Sequence, residues 1–350
     1  MIACRRRLGP AAAALCLVLG LASVGRVARA GSVSTSVLRM LPKDVGEVGY
    51  ADLKTARQAS WFAQLEAQAL PSRFRHFESF LASAGIDPDK VVEEIVWAAA
   101  LPSPQPSSGG AAASTGDAAA HQQKFTGEQV IGVALGNFSP DLADQFFKKQ
   151  KLPTATVRGY TLYAYGSGVS PGDLFFFFLD SNTAAFGHRE LLETMIGVHF
   201  GDEQSFLENE KLFPLVDEVN GQGTLWVALD KTYAQNSIGN LMPEAAQFPG
   251  AADLLGRVKA MTVTVQMDTG VDAVITPQCG STGDAILLAQ LLQAGLLYKR
   301  YQVAASNPEV ARVIDSTSAS ADGDRLKIRI QLSDDLLQVL LQHSAFSLRM

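Results

Sequence analysis

Met261-Thr262-Val263-Thr264-Val265-Gln266-Met267 decides the fold. Met261, Val263, Val265 and Met267 fall on one side, and Thr262, Thr264 and Gln266 on the other. Unbroken alternation predicts a strand with one face on a core and one in water, the mark of an antiparallel sheet. Leu326–Leu332 (LKIRIQL) repeats the pattern, with Lys327, Arg329 and Gln331 outward. Asp268-Thr269-Gly270 predicts a short hairpin loop after the first run, and Asp322-Gly323 a tight turn before the second.

Helical spacing lies between the strands. Trp61, Phe62, Leu65 and Ala69 share a face until Pro71, and Phe74, Phe77 and Leu81 continue beyond it. Ala285–Tyr298 is apolar nearly all round, with Ile286, Leu287, Leu288, Leu291, Leu292, Leu296 and Leu297. Such a helix is either central to the fold or covered by a partner. Ser333-Asp334-Asp335 supplies a cap and first-turn acids for a last helix through Leu336, Leu337, Val339, Leu340 and Leu341. Phe175–Phe178, flanked by Leu174 and Leu179, predicts a strand buried on both faces, or one wall of an apolar ligand cavity.

Two echoes run in the same order. Gly46–Ser60 (GEVGYADLKTARQAS) resembles Gly223–Ser237 (GTLWVALDKTYAQNS), and Ile131–Phe146 parallels Ile328–Leu341 as strand, capped turn and helix. They make duplication one reading of the chain. The predicted fold class is α+β, a two-layer sandwich of mostly antiparallel sheet with helices on one face. The predicted organisation is a leader over 1–30, an α+β half over 31–222 and a second over 223–350. Leu101–Gly127 (LPSPQPSSGGAAASTGDAAAHQQKFTG) is too poor in large apolar residues to order itself. Between the strand-like runs Val91–Ala100 and Glu128–Gly136 it reads as a disordered insertion at a hairpin tip, with an interdomain linker as the alternative.

The order GTLWVALD, MTVTVQMDTGVDAVITPQC, Leu-rich helix, RLKIRIQLSDDLL loosely resembles uncharacterised exported bacterial proteins of repeated α+β architecture. The resemblance covers Gly223–Leu341 well and Leu41–Gly201 loosely. It implies export and the repeated fold, and it brings no active site with it.

The N-terminus agrees with export. Arg5, Arg6 and Arg7 precede an uncharged apolar stretch, Leu8–Val24, and Ala28-Arg29-Ala30 forms a small-x-small cleavage signal with Gly31 as the mature N-terminus. The apolar run is shorter than the roughly 20 residues of a membrane span, and no other run is long enough, so no span is expected after cleavage. The large Leu15 before Cys16 does not fit a lipobox. An uncleaved anchor is the alternative. The expected destination is the periplasm or the extracellular medium.

The leader holds five arginines and no acid, so its removal takes the formal charge from −6 to −11. An acidic body argues against nucleic acid and anionic lipid as partners. Of the three cysteines, Cys4 and Cys16 lie in the leader, so an internal disulfide is excluded and stability rests on apolar burial.

The candidate chemistry is sparse. Asp268-Thr269-Gly270 looks like the catalytic loop of retroviral-type aspartic proteases, which needs two carboxylates sharing a proton; no second such triplet occurs here. Cys279 lacks a local histidine signature for a thiol nucleophile. The histidines show no metal spacing, and His199 with Asp202 and Glu203 is the nearest approach to a cluster. No cofactor or metal is expected. Arg158, Tyr160, Tyr163 and Tyr165 lie on one strand-like run, with Tyr163 and Tyr165 sharing a face. Together with Lys327 and Arg329 on an open sheet face they are the candidate ligand-binding residues, suited to a protein or a glycan. The expected function is thus an exported, non-catalytic binding or envelope-associated protein. The alternatives are a carrier holding an apolar or lipid ligand between sheet and helices, and a hydrolase using Asp268 or Cys279.

Overall fold

Every strand pairing in the computed structural model is antiparallel, and the described strands join into one twelve-stranded sheet. The structure describes residues 31–69, 81–82, 86–101, 129–170, 172–241 and 251–342. The leader, the insertion beyond Leu101 and the Phe74–Phe77 turn therefore lie outside the described residues.

The first seven strands are β1 (Glu47–Asp52), β2 (Val92–Ala100), β3 (Gln129–Gly136), β4 (Thr154–Val157), β5 (Tyr160–Tyr165), β6 (Leu174–Phe178) and β7 (Thr183–His188). Then come β8 (Leu225–Leu229), β9 (Ala260–Met267), β10 (Val271–Gln278), β11 (Thr317–Asp322) and β12 (Arg325–Leu332). In space the order is β11-β12-β10-β9-β8-β1-β2-β3-β7-β6-β5-β4. The two chain halves meet at β1 and β8, in register Glu47↔Leu229 through Ala51↔Leu225. β7 pairs β3 in one half as β12 pairs β10 in the other.

The echoed corner has a shared cause. Asp52 accepts the Thr55 amide at 2.8 Å to start helix α2 (Leu53–Ala56), and Asp230 accepts the Tyr233 amide at 2.9 Å to start α8 (Lys231–Leu241). Both are capping carboxylates at strand ends. Gly49 and Val227, each three residues before its capping carboxylate, face each other across the β1–β8 pair.

Side-chain alternation gives the sheet two faces. One face, here the first, carries Val48, Tyr50, Val96, Ala98, Ile131, Val133, Phe175, Phe177 and Trp226 in the largest core cluster. Helices α1 (Thr35–Met40) and α6 (Arg189–Phe200) cover it on the β1–β7 side, and α7 (Phe213–Val219) lies over β8 and β9. Towards β12 it lies open, with Thr264, Gln266, Lys327, Arg329 and Gln331 along it, while Thr262 is buried near α7. The second face carries Met261, Leu326 and Ala319 under α8 and the long helix α10 (Thr282–Val303). Helix α3 (Phe62–Ala69) meets α12 (Asp334–Gln342) there, and α5 (Pro140–Gln150) covers Tyr163 and Phe176. The fold is α+β as the alternation implies, with a helix layer on the first face that the sequence pattern does not foreshadow.

The predicted turns are in place. Asp268-Thr269-Gly270 joins β9 to β10 with Gly270 at φ +124°, and Gly323-Asp324 closes the β11–β12 hairpin. Leu174–Phe177 is buried throughout. Ala100 and Gln129, the flanks of the insertion, are register partners.

Gly49 is the tightest point of the junction. A Cβ there would lie 2.2 Å from the Trp97 ring, whose indole donates to Glu47 at 2.8 Å. Gly49→Ala is expected to destabilise the protein by about 1–3 kcal/mol, as overpacking does; a urea melt with an unchanged midpoint would contradict this.

Candidate functional site

Helix α10 presents the most unusual surface of the molecule. Ser281 caps it, accepting the Asp284 amide at 3.1 Å and donating to the Asp284 carboxylate at 2.9 Å. Arg257 holds the same carboxylate at 2.9 Å, and the Ser281 and Arg257 contacts keep it below the usual carboxylate range. This fastens the first turn to the loop before β9. Over 22 residues the helix runs about 33 Å. Ala285, Leu288 and Ala289 face the core, beside Cys279, Met261 and Leu326.

Its outer side is exposed. Ile286, Leu287, Leu291, Leu297, Tyr298 and Tyr301 are exposed, Leu297 to 69% and Tyr301 to 86%. Leu287, Leu291, Tyr298 and Tyr301 recur at helical spacing, so they form one stripe rather than scattered contacts. Gly295 beside them opens onto free space. Six exposed large apolar side chains on one helix are a patch rather than the singly scattered apolar residues normal on a surface. No carboxylate occurs between Asp284 and Glu309, in a chain that is acidic overall. The far end is pinned by Arg300, whose Nη2 donates to Asp315 at 3.1 Å from helix α11 (Pro308–Asp315).

The sequence-predicted binding residues are distributed over the sheet. Arg158 occupies the β4–β5 turn at φ +50°, pairs with Asp202 and lies 5.2 Å over the Phe200 ring. Tyr160 is on the first face, packed on Phe177 and His199. Tyr163 is buried on the second face, its hydroxyl donating to Asp144, and burial pushes its phenol well up. Tyr165 is half-buried at the end of β5. Lys327 and Arg329 point from the open first face, with Arg329 donating to Asp272 at 2.9 Å. Eight strands separate β5 from β12, a distance of roughly 40 Å at about 4.8 Å per strand. Arg158 and Tyr160 are neighbours, while Lys327 and Arg329 belong to a different surface.

The other candidates have visible occupations. Cys279 is buried, and burial pushes its thiol up, the opposite of a nucleophile's requirement. Asp268 sits exposed at a hairpin tip. Between sheet and helices at Tyr160, Phe177 and Met195 the void is about 10 Å³, far below the roughly 300 Å³ that encloses a ligand. Leu287, Leu291 and Leu297 face outward, so the apolar material expected to line a cavity is a surface instead. A polar cleft of about 530 Å³ opens beside Lys43, Asn209, Lys211 and Asp230, whose carboxylate is already engaged in capping α8. The apolar helix was legible in the sequence; its outward side was not.

No family model and no curated protein matches the chain. Two solved structures of TP0453 are similar to it. Crystal form I has a TM-score of 0.49 at 10% identity, covering 89% of this chain and 98% of that chain. Crystal form IV has a TM-score of 0.45 at 11% identity, covering 87% and 96%. Likeness at this level leaves the functional reading to this chain's own geometry.

The site makes two checks. Cys279 should resist iodoacetamide in the native protein and react on unfolding; prompt native alkylation would contradict its burial. Because the Asp284 carboxyl titrates below its ordinary value, it contributes stability above about pH 4 that fades as pH falls through the depressed value. Asp284→Asn should therefore lower Tm at pH 7 and by progressively less below pH 4. A constant difference across that range would count against the charged contact.

Proposed function

We propose that this chain is an exported, non-catalytic, envelope-associated binding protein whose working surface is the outer side of α10. The observation that carries the reading is the exposed stripe Ile286–Tyr301. An acidic body gains nothing by leaving such surface in water, and the stripe is the outward side of a single helix. Tyr298 and Tyr301 stand beside Lys299 and Arg300 at one end, a pairing suited to the boundary between an apolar phase and water. The absence of carboxylates along α10 fits the same use. The leader pattern at Arg5–Arg7, Leu8–Val24 and Ala28–Ala30 supports export to a compartment bounded by membranes. The partner so described is a lipid surface, met edge-on by one helix and not spanned.

Co-flotation of the purified chain with zwitterionic phospholipid vesicles tests the reading. The unaltered chain should float with lipid. Leu297→Glu and Tyr301→Glu, at exposed positions that leave Tm unchanged, should each weaken binding at least about tenfold. Arg329→Ala, on the open sheet face, should bind as the unaltered chain does. A chain that stays in the lipid-free fraction, as monomer or as self-assembled oligomer, overturns the proposal, as does undiminished flotation of the two Glu variants.

A further inference from the structure

Gly31 and Tyr50 meet so closely that no side chain fits between them. A Cβ on Gly31 would lie 2.1 Å from the Tyr50 hydroxyl oxygen and 2.8 Å from Cζ. Tyr50 is wholly buried, and among the described residues its hydroxyl has no hydrogen-bond partner. Its ring stacks on Trp226 at 5.7 Å, whose buried indole N–H is likewise unpaired. A buried polar group left unpaired costs about 1–3 kcal/mol, so two side by side call for a reason.

Carboxylates stand next to that hydroxyl. Strand register sets Asp52 directly across from Glu94, on the same face as Tyr50 and Val96. Asp52 is engaged, with one oxygen on the Thr55 amide and the other on the Thr55 hydroxyl. Glu94 is half-buried and forms no ion pair among the described residues, since the neighbouring Lys54 pairs with Glu93 at 2.8 Å. Burial holds the Glu94 carboxyl above the usual range, and burial first and then the nearby Glu94 carboxyl push the Tyr50 phenol up, the two groups standing close enough to interact though short of hydrogen-bond geometry. Among the described residues the pocket thus holds a carboxylate outside any ion pair beside a hydroxyl without a geometric hydrogen bond.

The chain at Gly31 is held in place. Asn220 accepts the Val33 amide at 2.8 Å and donates to the Val33 carbonyl at 3.0 Å, and Ser34 then caps α1. The Gly31 nitrogen is one bond from the Cα that meets Tyr50. A leader peptidase acting after Ala30 would use one water. The Ala30–Gly31 C–N bond breaks, the water oxygen completes the Ala30 carboxylate, and the Gly31 nitrogen takes up both protons of that water to become an ammonium.

We propose that the pocket of Tyr50 and Glu94 is the receptor for the processed N-terminus, where the Gly31 α-ammonium donates to the Tyr50 oxygen and pairs with the Glu94 carboxylate. Processing then does more than remove a leader: it completes a buried polar network at the junction of the two halves. The glycine is required because any larger first residue would collide with Tyr50. This inference stands apart from the α10 surface and is tested separately.

The chain expressed with its leader in an exporting host should be recovered with Gly31 as first residue by N-terminal sequencing. The same protein released with Ala30 retained, which displaces the amine by one residue, should melt about 2–4 °C lower. Glu94→Gln should melt alike with either N-terminus, and Tyr50→Phe should shrink the difference. A first residue other than Gly31, equal Tm for the two N-termini, or an undiminished difference in Glu94→Gln would each overturn the proposal.

Discussion

The close packing of β1 against β8 is the constraint on which the rest of the structure depends. Both strands are central, and each begins a half of the chain, so the continuity of the sheet passes through five register pairs. Their first face is closed by the Tyr50–Trp226 stack. Their second face has Gly49 under the Trp97 ring, where hydrogen would be replaced by a colliding methyl group in any other residue. A large ring above and a glycine below fix the strand spacing and the sheet twist at one point. Everything outward from there follows by antiparallel pairing, with each hairpin adding to an edge already set.

That junction also explains why the helices are unevenly spread. On the first face the β1–β7 side is bulky and apolar, with Phe175, Phe177 and Ile131, and it needs α1 and α6 over it, while α7 closes the face at β8. On the β9–β12 side the same face turns to Thr, Gln, Lys and Arg, and needs no cover. Helix α10 lies on the opposite face there, where Met261, Ala319 and Leu326 bury its inner side. It has nothing to bury its outer side against. The exposed stripe is therefore a consequence of a single helix layer carrying a helix that is apolar on both sides.

The alternation in MTVTVQM and LKIRIQL, the hairpin glycine at 270, the Ser333 cap and the strand through Phe175–Phe178, buried up to Phe177, were all legible, because each is a local property of a few residues. Tyr163 and Lys327 were legible as strand residues yet not as parts of one site. Strand order places them on surfaces far apart, and order depends on which hairpins pair across the chain. The same holds for Gly31 and Tyr50, nineteen positions apart with a helix between them, whose contact no spacing rule anticipates.

Readable from the sequence were the α+β class, the antiparallel sheet, the turns and the presence of one helix too apolar for an ordinary surface. These rest on periodicity, composition and residue chemistry, which act over short range. The tertiary structure decided that the helix shows its leucines and tyrosines outward, that the layers close without a ligand-sized void at Phe177, and that Cys279 is buried. The same packing brings Gly31 against the buried hydroxyl of Tyr50. Those outcomes depend on which faces are left over once a twelve-stranded sheet has chosen its order, and that choice is made by long-range packing.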